Sequence, residues 1–217
     1  MNQTNDPHKG QPVRGAGAPV AGAAVAMILL HGRGASAEDI LSLAEHFAAD
    51  DVAYLAPQAA GHSWYPFSFM APAERNEPYL SSALGLVDAI VKTVEAEGVA
   101  AERIVLLGFS QGACLAAEYA ARHARRYGGL VALTGGLIGA ELRNENYRGD
   151  FAGTPALIAC SDVDPHIPLT RVRETTSVLK ALGAAVDERI YPGLGHTVNA
   201  DEMARVRGMI GVAAGRT

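Results

Sequence analysis

The run Gly108-Phe109-Ser110-Gln111-Gly112 constrains this chain more than any other stretch. An apolar segment, Arg103-Ile104-Val105-Leu106-Leu107, leads into it, and a helix-forming segment from Ala113 to Arg122 leads out. A Gly-x-Ser-x-Gly pattern set between a strand and a helix predicts a sharp turn that lifts the serine hydroxyl above a sheet edge. Side chains at 108 and 112 would collide across such a turn, so glycine is required at both. The helix that starts at the serine aims its free N–H groups and positive dipole end at the same point. The competing reading is a glycine-rich turn in which Ser110 only caps the helix.

A nucleophile elbow belongs in a sheet with helices on both faces, and the rest of the chain reads that way. Strand-like runs are predicted near 23–30, 52–56, 103–108, 129–134, 155–161 and 186–191. Helices are predicted near 37–48, 80–97, 111–126, 169–182 and 199–213. This alternation predicts an α/β fold with a mostly parallel central sheet. Continuously apolar strands such as Ala156-Leu157-Ile158-Ala159-Cys160 suit a sheet buried on both sides. Residues 1–19, rich in Gly, Pro, Asn and Gln, read as a flexible N-terminal arm, and 20–217 as a single domain.

The apolar run after the arm runs straight into His31-Gly32-Arg33-Gly34, which suits a buried strand and a site loop better than a signal peptide. No run is long enough for a transmembrane helix, so no stable membrane insertion is expected. The formal net charge is −5 with no long basic run, which argues against a nucleic-acid partner. The two cysteines, Cys114 and Cys160, fit no metal spacing and no disulfide scaffold, and suggest a reducing, cytoplasmic setting.

A serine hydroxyl needs a base, and the base needs an orienting acid. In the α/β-hydrolase order the acid and then the histidine follow the serine. Of seven histidines, only His123, His166 and His196 follow Ser110. His123 falls too far along the elbow helix. His166 lies two residues from the best acid candidate, too close in sequence to span between that acid and Ser110. His196, in the loop after the last strand, is the predicted base. The acid is Asp164 or Asp162, with Asp164 favoured by its further loop step and by Pro165 after it. Oxyanion donors are predicted at the main-chain N–H of Gln111 and, from the glycine-rich loop after the first central strand, of Arg33. The long segment 57–80 carries repeated prolines and a cluster of aromatic residues beyond a strand end. Trp64, Tyr65, Phe67, Phe69 and Met70 are its candidate pocket residues.

With these pieces assembled, the chain resembles the phospholipase/carboxylesterase family of α/β hydrolases, a group that includes acyl-protein thioesterases. The resemblance runs from about residue 25 to the C-terminus. It rests on the serine motif, on Asp164-Pro165-x-Ile167-Pro168 and on Gly195-His196. It implies an α/β-hydrolase fold without a large lid domain, and Asp164 as the acid. It also implies hydrolysis of short- to medium-chain carboxylic esters or thioesters, a small-molecule ester as substrate, no metal or other cofactor, and frequently a homodimer. Arg33 departs from the pattern, because the family often has leucine there. An acyl-protein thioesterase or lysophospholipase is the alternative activity. A hydrolase-fold binding protein without activity is the alternative class.

Overall fold

The computed structural model describes residues 6–47 and 49–216. Among these described residues, seven strands form one sheet: β1 (Val13–Gly17), β2 (Val25–Leu30), β3 (Val52–Pro57), β4 (Ile104–Phe109), β5 (Gly129–Leu133), β6 (Pro155–Ser161) and β7 (Ala185–Tyr191). Their spatial order is β1-β3-β2-β4-β5-β6-β7. All neighbours pair in parallel except β1, which runs antiparallel to β3. Five helices accompany them: α1 (Ala37–Leu41), α2 (Tyr79–Ala96), α3 (Gln111–Arg122), α4 (Leu169–Ala181) and α5 (Ala200–Ala213). This is the α/β-hydrolase arrangement, with helices on both faces and, among the described residues, no large lid.

The apolar strand runs follow from this layering. Successive side chains in a strand point to opposite faces. Ile28, Leu30, Leu106 and Ile158 pack with α2, α3 and α4 in one core. Met27, Leu29, Leu107 and Leu157 pack with α1 and α5 in the other. A strand covered on both sides therefore has no polar face to display. Helix α3 is buried from Gln111 to Ala121. Its many alanines let the backbone approach the sheet closely, which fixes the height of the residue before it, Ser110.

Three differences from the sequence reading have local causes. Residues 13–17, expected within a flexible arm, form β1, with Val13 paired to Pro57 and Gly17 to Ala53. All five of its residues are exposed, so backbone pairing holds the strand and no apolar alternation marks it. The helix expected over 37–48 is a short α-helix followed by a 3₁₀ turn at Ser42–His46. The helix expected to reach 126 stops at Arg122. Ala124 instead bridges to Gly149, and Tyr127 turns into the core.

The chain leaves β2 for β3 on one side and later returns to β4 on the other. The strand order therefore reverses at β2, with Leu30 paired to Gly108. A crevice opens beyond the carboxyl ends of strands at such a reversal. The loop after β2 and the turn after β4 face each other across it.

Candidate active site

Ser110 joins β4 to α3 with φ 55° and ψ −118°, a conformation that L-residues seldom adopt. Strain of this kind costs on the order of 1–3 kcal/mol and persists only where the surroundings impose it. Here the Ser110 N–H donates to the Leu133 carbonyl at 3.0 Å, and the Ser110 carbonyl accepts from the Cys114 N–H at 3.1 Å. The two flanking glycines leave no alternative. A Cβ on Gly108 would lie 2.1 Å from the Gly112 carbonyl oxygen, and one on Gly112 would lie 2.0 Å from that of Leu30. Ser110 stands at the cap position of α3, yet its hydroxyl makes no cap bond. The hydroxyl points to His196 instead, with Oγ 2.9 Å from Nε2.

His196 Nδ1 lies 2.7 Å from Asp164 Oδ2. An ionised carboxylate only accepts, so Nδ1 carries the proton and Nε2 is left free to accept from the serine. The Asp164 side chain is fully buried. Its other oxygen accepts from the main-chain N–H groups of His166 and Ile167, at 2.8 and 3.0 Å. Asp162, the other acid candidate, is turned away: its Oδ1 accepts from the Gly193 N–H at 2.8 Å. Together with Ser161 Oγ, which accepts from the Gly195 N–H at 3.0 Å, it shapes the loop that carries His196. His166 sets its ring edge-on against His196, with centroids 4.8 Å apart. Phe109 packs on another side of the same imidazole at 5.2 Å.

The loop after β2 brings Gly32 and Arg33 beside Ser110. A Cβ on Gly32 would lie 3.4 Å from that of Ser110. Among the described residues the main-chain N–H groups of Arg33 and Gln111 have no acceptor within the chain. Two free N–H groups beside a half-buried serine that opens on a cavity are what a developing oxyanion needs. His31 holds the loop from below. It is fully buried, with Nε2 accepting from the Ala59 N–H at 3.1 Å and Nδ1–H donating to the Gly32 carbonyl at 2.7 Å. Burial lowers its pKa, in keeping with the neutral form that this bonding requires.

The aromatic segment splits into two roles. Tyr65, Phe67 and Phe69 line a cavity of about 580 Å³ that also holds Ser110, Gln111 and His196. Trp64 and Met70 do not line it. Trp64 is completely buried: its indole N–H donates to the His31 carbonyl at 2.8 Å, and its ring lies 4.9 Å from that of His31. It braces the loop instead of facing a ligand, because its N–H finds a buried acceptor only there. Met70 packs against the core. The side chain of Gln111 was not foreseen as a brace. Its amide accepts from the Trp64 N–H at 3.0 Å and donates to the Tyr65 carbonyl at 2.8 Å, fastening the aromatic segment to the elbow. His8, in the N-terminal segment, supports that segment from beneath, with Nε2–H donating to the Trp64 carbonyl at 3.0 Å and Nδ1 accepting from the Ala60 N–H at 3.1 Å.

Cys114 also touches the cavity, but burial pushes its thiol up to about 11, so it stays protonated near neutrality. Among the described residues, no cluster of three or more His, Cys, Asp or Glu side chains is arranged to hold a metal ion. Among the described residues, no helix is long and apolar enough to cross a membrane either.

A family model described as Phospholipase/Carboxylesterase matches residues 18–213. The crystal structure of a phospholipase/carboxylesterase from Dyadobacter fermentans is 49% identical and superposes with a TM-score of 0.90, covering 92% of this chain and 96% of that one. Acyl-protein thioesterase 1 of Neurospora crassa is 27% identical over 201 residues, which cover 82% of each chain. Acyl-protein thioesterase 1 of Gibberella zeae is 30% identical over 115 residues, which span 52% of this chain and about half (49%) of that protein.

Proposed function

The chain belongs to the phospholipase/carboxylesterase family, and from that premise we propose that it is a serine carboxylesterase acting through an acyl-enzyme on Ser110. Its substrates are small carboxylic esters with short to medium acyl chains, and residues 20–217 form the catalytic domain. The observation that carries this reading is the unbroken line from Asp164 through His196 to Ser110, at 2.7 and 2.9 Å, ending on a serine in a strained turn.

The chemistry follows from those positions. His196 Nε2 takes the Ser110 proton as Oγ attacks the ester carbonyl. Asp164 holds the imidazole in the right tautomer and stabilises the cation that forms. The N–H groups of Arg33 and Gln111 receive the negative charge that develops on the carbonyl oxygen; one such donor is worth on the order of 3 kcal/mol of barrier. His196 then returns the proton to the leaving alcohol, and water releases the acyl group by the same sequence. The cavity is within the size range of small-molecule sites. Two buried free cysteines fit a reducing, cytoplasmic setting.

Ser110→Ala tests the assignment. The variant is expected to keep the wild-type melting temperature, lose turnover of p-nitrophenyl butyrate and lose labelling by a fluorophosphonate. Near-wild-type turnover would sink it, and a wild-type protein that the fluorophosphonate does not label would favour an inactive binding protein. The names of the curated relatives favour a thioesterase as the second reading. Comparing oxygen-ester and thioester turnover at equal acyl length decides between them.

A further inference from the structure

Among the described residues, Arg33 is the only permanently charged side chain lining the cavity around Ser110, and no Asp or Glu lines it. Among the described residues its guanidinium has no carboxylate partner. Every acceptor it has is neutral: Nη1–H groups donate to Ser63 Oγ and the Pro66 carbonyl, both at 3.0 Å, and Nη2–H donates to the Phe67 carbonyl at 2.8 Å. The guanidinium also stands 5.9 Å from the centre of the Tyr65 ring. Three of its five N–H donors are thus occupied, its position is fixed, and its charge is uncompensated. A cation held in place by neutral acceptors has already met the ordering cost of binding an anion.

The wall it is bonded to indicates which part of a substrate it meets. The leaving oxygen has to come within reach of His196 Nε2, so the alcohol part lies on the side of His166 and His196. The acyl part is left with the wall formed by Tyr65, Phe67 and Phe69, to which Arg33 is tied. A Cβ on the preceding Gly32 would lie 3.4 Å from that of Ser110, and Arg33 lines the same cavity as Ser110. We infer that Arg33 selects esters whose acyl group carries a carboxylate a few bonds beyond the scissile carbonyl, that is, monoesters of short dicarboxylic acids. This rests on the esterase reading above and adds the charge of the substrate to it. The Nε–H and the remaining Nη2–H are the donors open to that carboxylate.

The test uses matched pairs that differ only in the terminal group: ethyl butanoate with monoethyl succinate, ethyl pentanoate with monoethyl glutarate, and ethyl hexanoate with monoethyl adipate. The readout is the ratio of kcat/KM for the acid over the neutral ester, which corrects for any general effect on catalysis. For the preferred length, Arg33→Gln is expected to lower that ratio about tenfold or more, as befits a charge-assisted hydrogen bond. Arg33→Lys is expected to retain much of it. A second measurement needs no variant. Raising ionic strength from about 0.01 to 1 M should lower the wild-type ratio, because the Debye length shortens from about 30 to 3 Å. A ratio unchanged both in Arg33→Gln and across the salt range, with neutral esters still hydrolysed, overturns this inference and leaves the esterase reading standing. No turnover of any ester overturns both.

Discussion

Substituting Gly112 with alanine places a methyl group 2.0 Å from the Leu30 carbonyl oxygen, 2.4 Å from the Leu30 carbonyl carbon and 2.6 Å from the His31 carbonyl oxygen. Real side chains do not approach closer than 3.0 Å, so the end of β2 and the start of α3 have to separate by about 1 Å. Two energies follow, and they differ in size. Overpacking costs about 1–3 kcal/mol, while alanine in a helix regains up to about 1 kcal/mol over glycine. The net loss of stability is on the order of 1 kcal/mol, or a few degrees in Tm for a chain of this length. Catalysis loses more. The displaced backbone carries His31, Gly32 and the Arg33 N–H away from Ser110, and a misplacement of about 1 Å at a reacting centre costs on the order of 100-fold. Gly85→Ala on α2 is the control, since a Cβ there meets nothing within 4 Å. It should gain up to about 1 kcal/mol and leave activity alone. The assay is kcat/KM on p-nitrophenyl butyrate alongside thermal denaturation of both variants. Gly112→Ala with kcat/KM close to wild type would refute the claim that this glycine sets the working distance between the loop after β2 and Ser110.

Two further perturbations test the supports of the site. Trp64→Phe keeps the ring volume largely in place but removes the indole N–H from the His31 carbonyl. A buried acceptor left unpaired costs about 1–3 kcal/mol. Both Tm and kcat/KM should therefore fall, and an unchanged Tm would show that the bond does not hold the loop. Glu202 at the start of α5 is buried, with one oxygen accepting from the Asn199 N–H at 2.6 Å and the other without a partner. Burial raises its carboxyl from 4.5 to about 7. A carboxyl raised in the folded state favours folding most below its unfolded value, and that contribution is lost as pH rises through about 7. Glu202→Gln keeps the cap and removes the titration. The variant should gain over wild type at pH 8 relative to pH 5, by on the order of 2 kcal/mol. Equal Tm differences at the two pH values would refute it.

The parts of this molecule legible in its sequence are those whose chemistry acts along the chain. Strands β2, β4, β5 and β6 announce themselves because each is covered on both faces, and the elbow because two glycines and a serine have to sit at fixed spacing. The order of serine, acid and histidine could be read because strand ends deliver loops to one edge of a parallel sheet in chain order. Strand β1 was hidden for the opposite reason: it is exposed throughout and paired through its backbone, which is the same for every side chain. Of the aromatic segment, Tyr65, Phe67 and Phe69 line the cavity, whereas Trp64 and Met70 do not. A buried tryptophan and a pocket phenylalanine have the same composition, and only their partners distinguish them. Trp64 finds the His31 carbonyl, whereas Phe67 and Phe69 find open volume. The Gln111 side chain fills one of the variable positions of the serine motif, which a pattern treats as free. Yet it is that residue which fastens the wall of the cavity to the turn at Ser110, through Trp64 and Tyr65. Arg33 fastens the same wall to the loop after β2 through Ser63, Pro66 and Phe67. The wall is therefore held by the two residues whose main-chain N–H groups flank Ser110. On the esterase reading proposed above, a change in either side chain alters what the cavity accepts without removing a main-chain donor. Specificity can thus change at positions 33 and 111 while the donors remain in place.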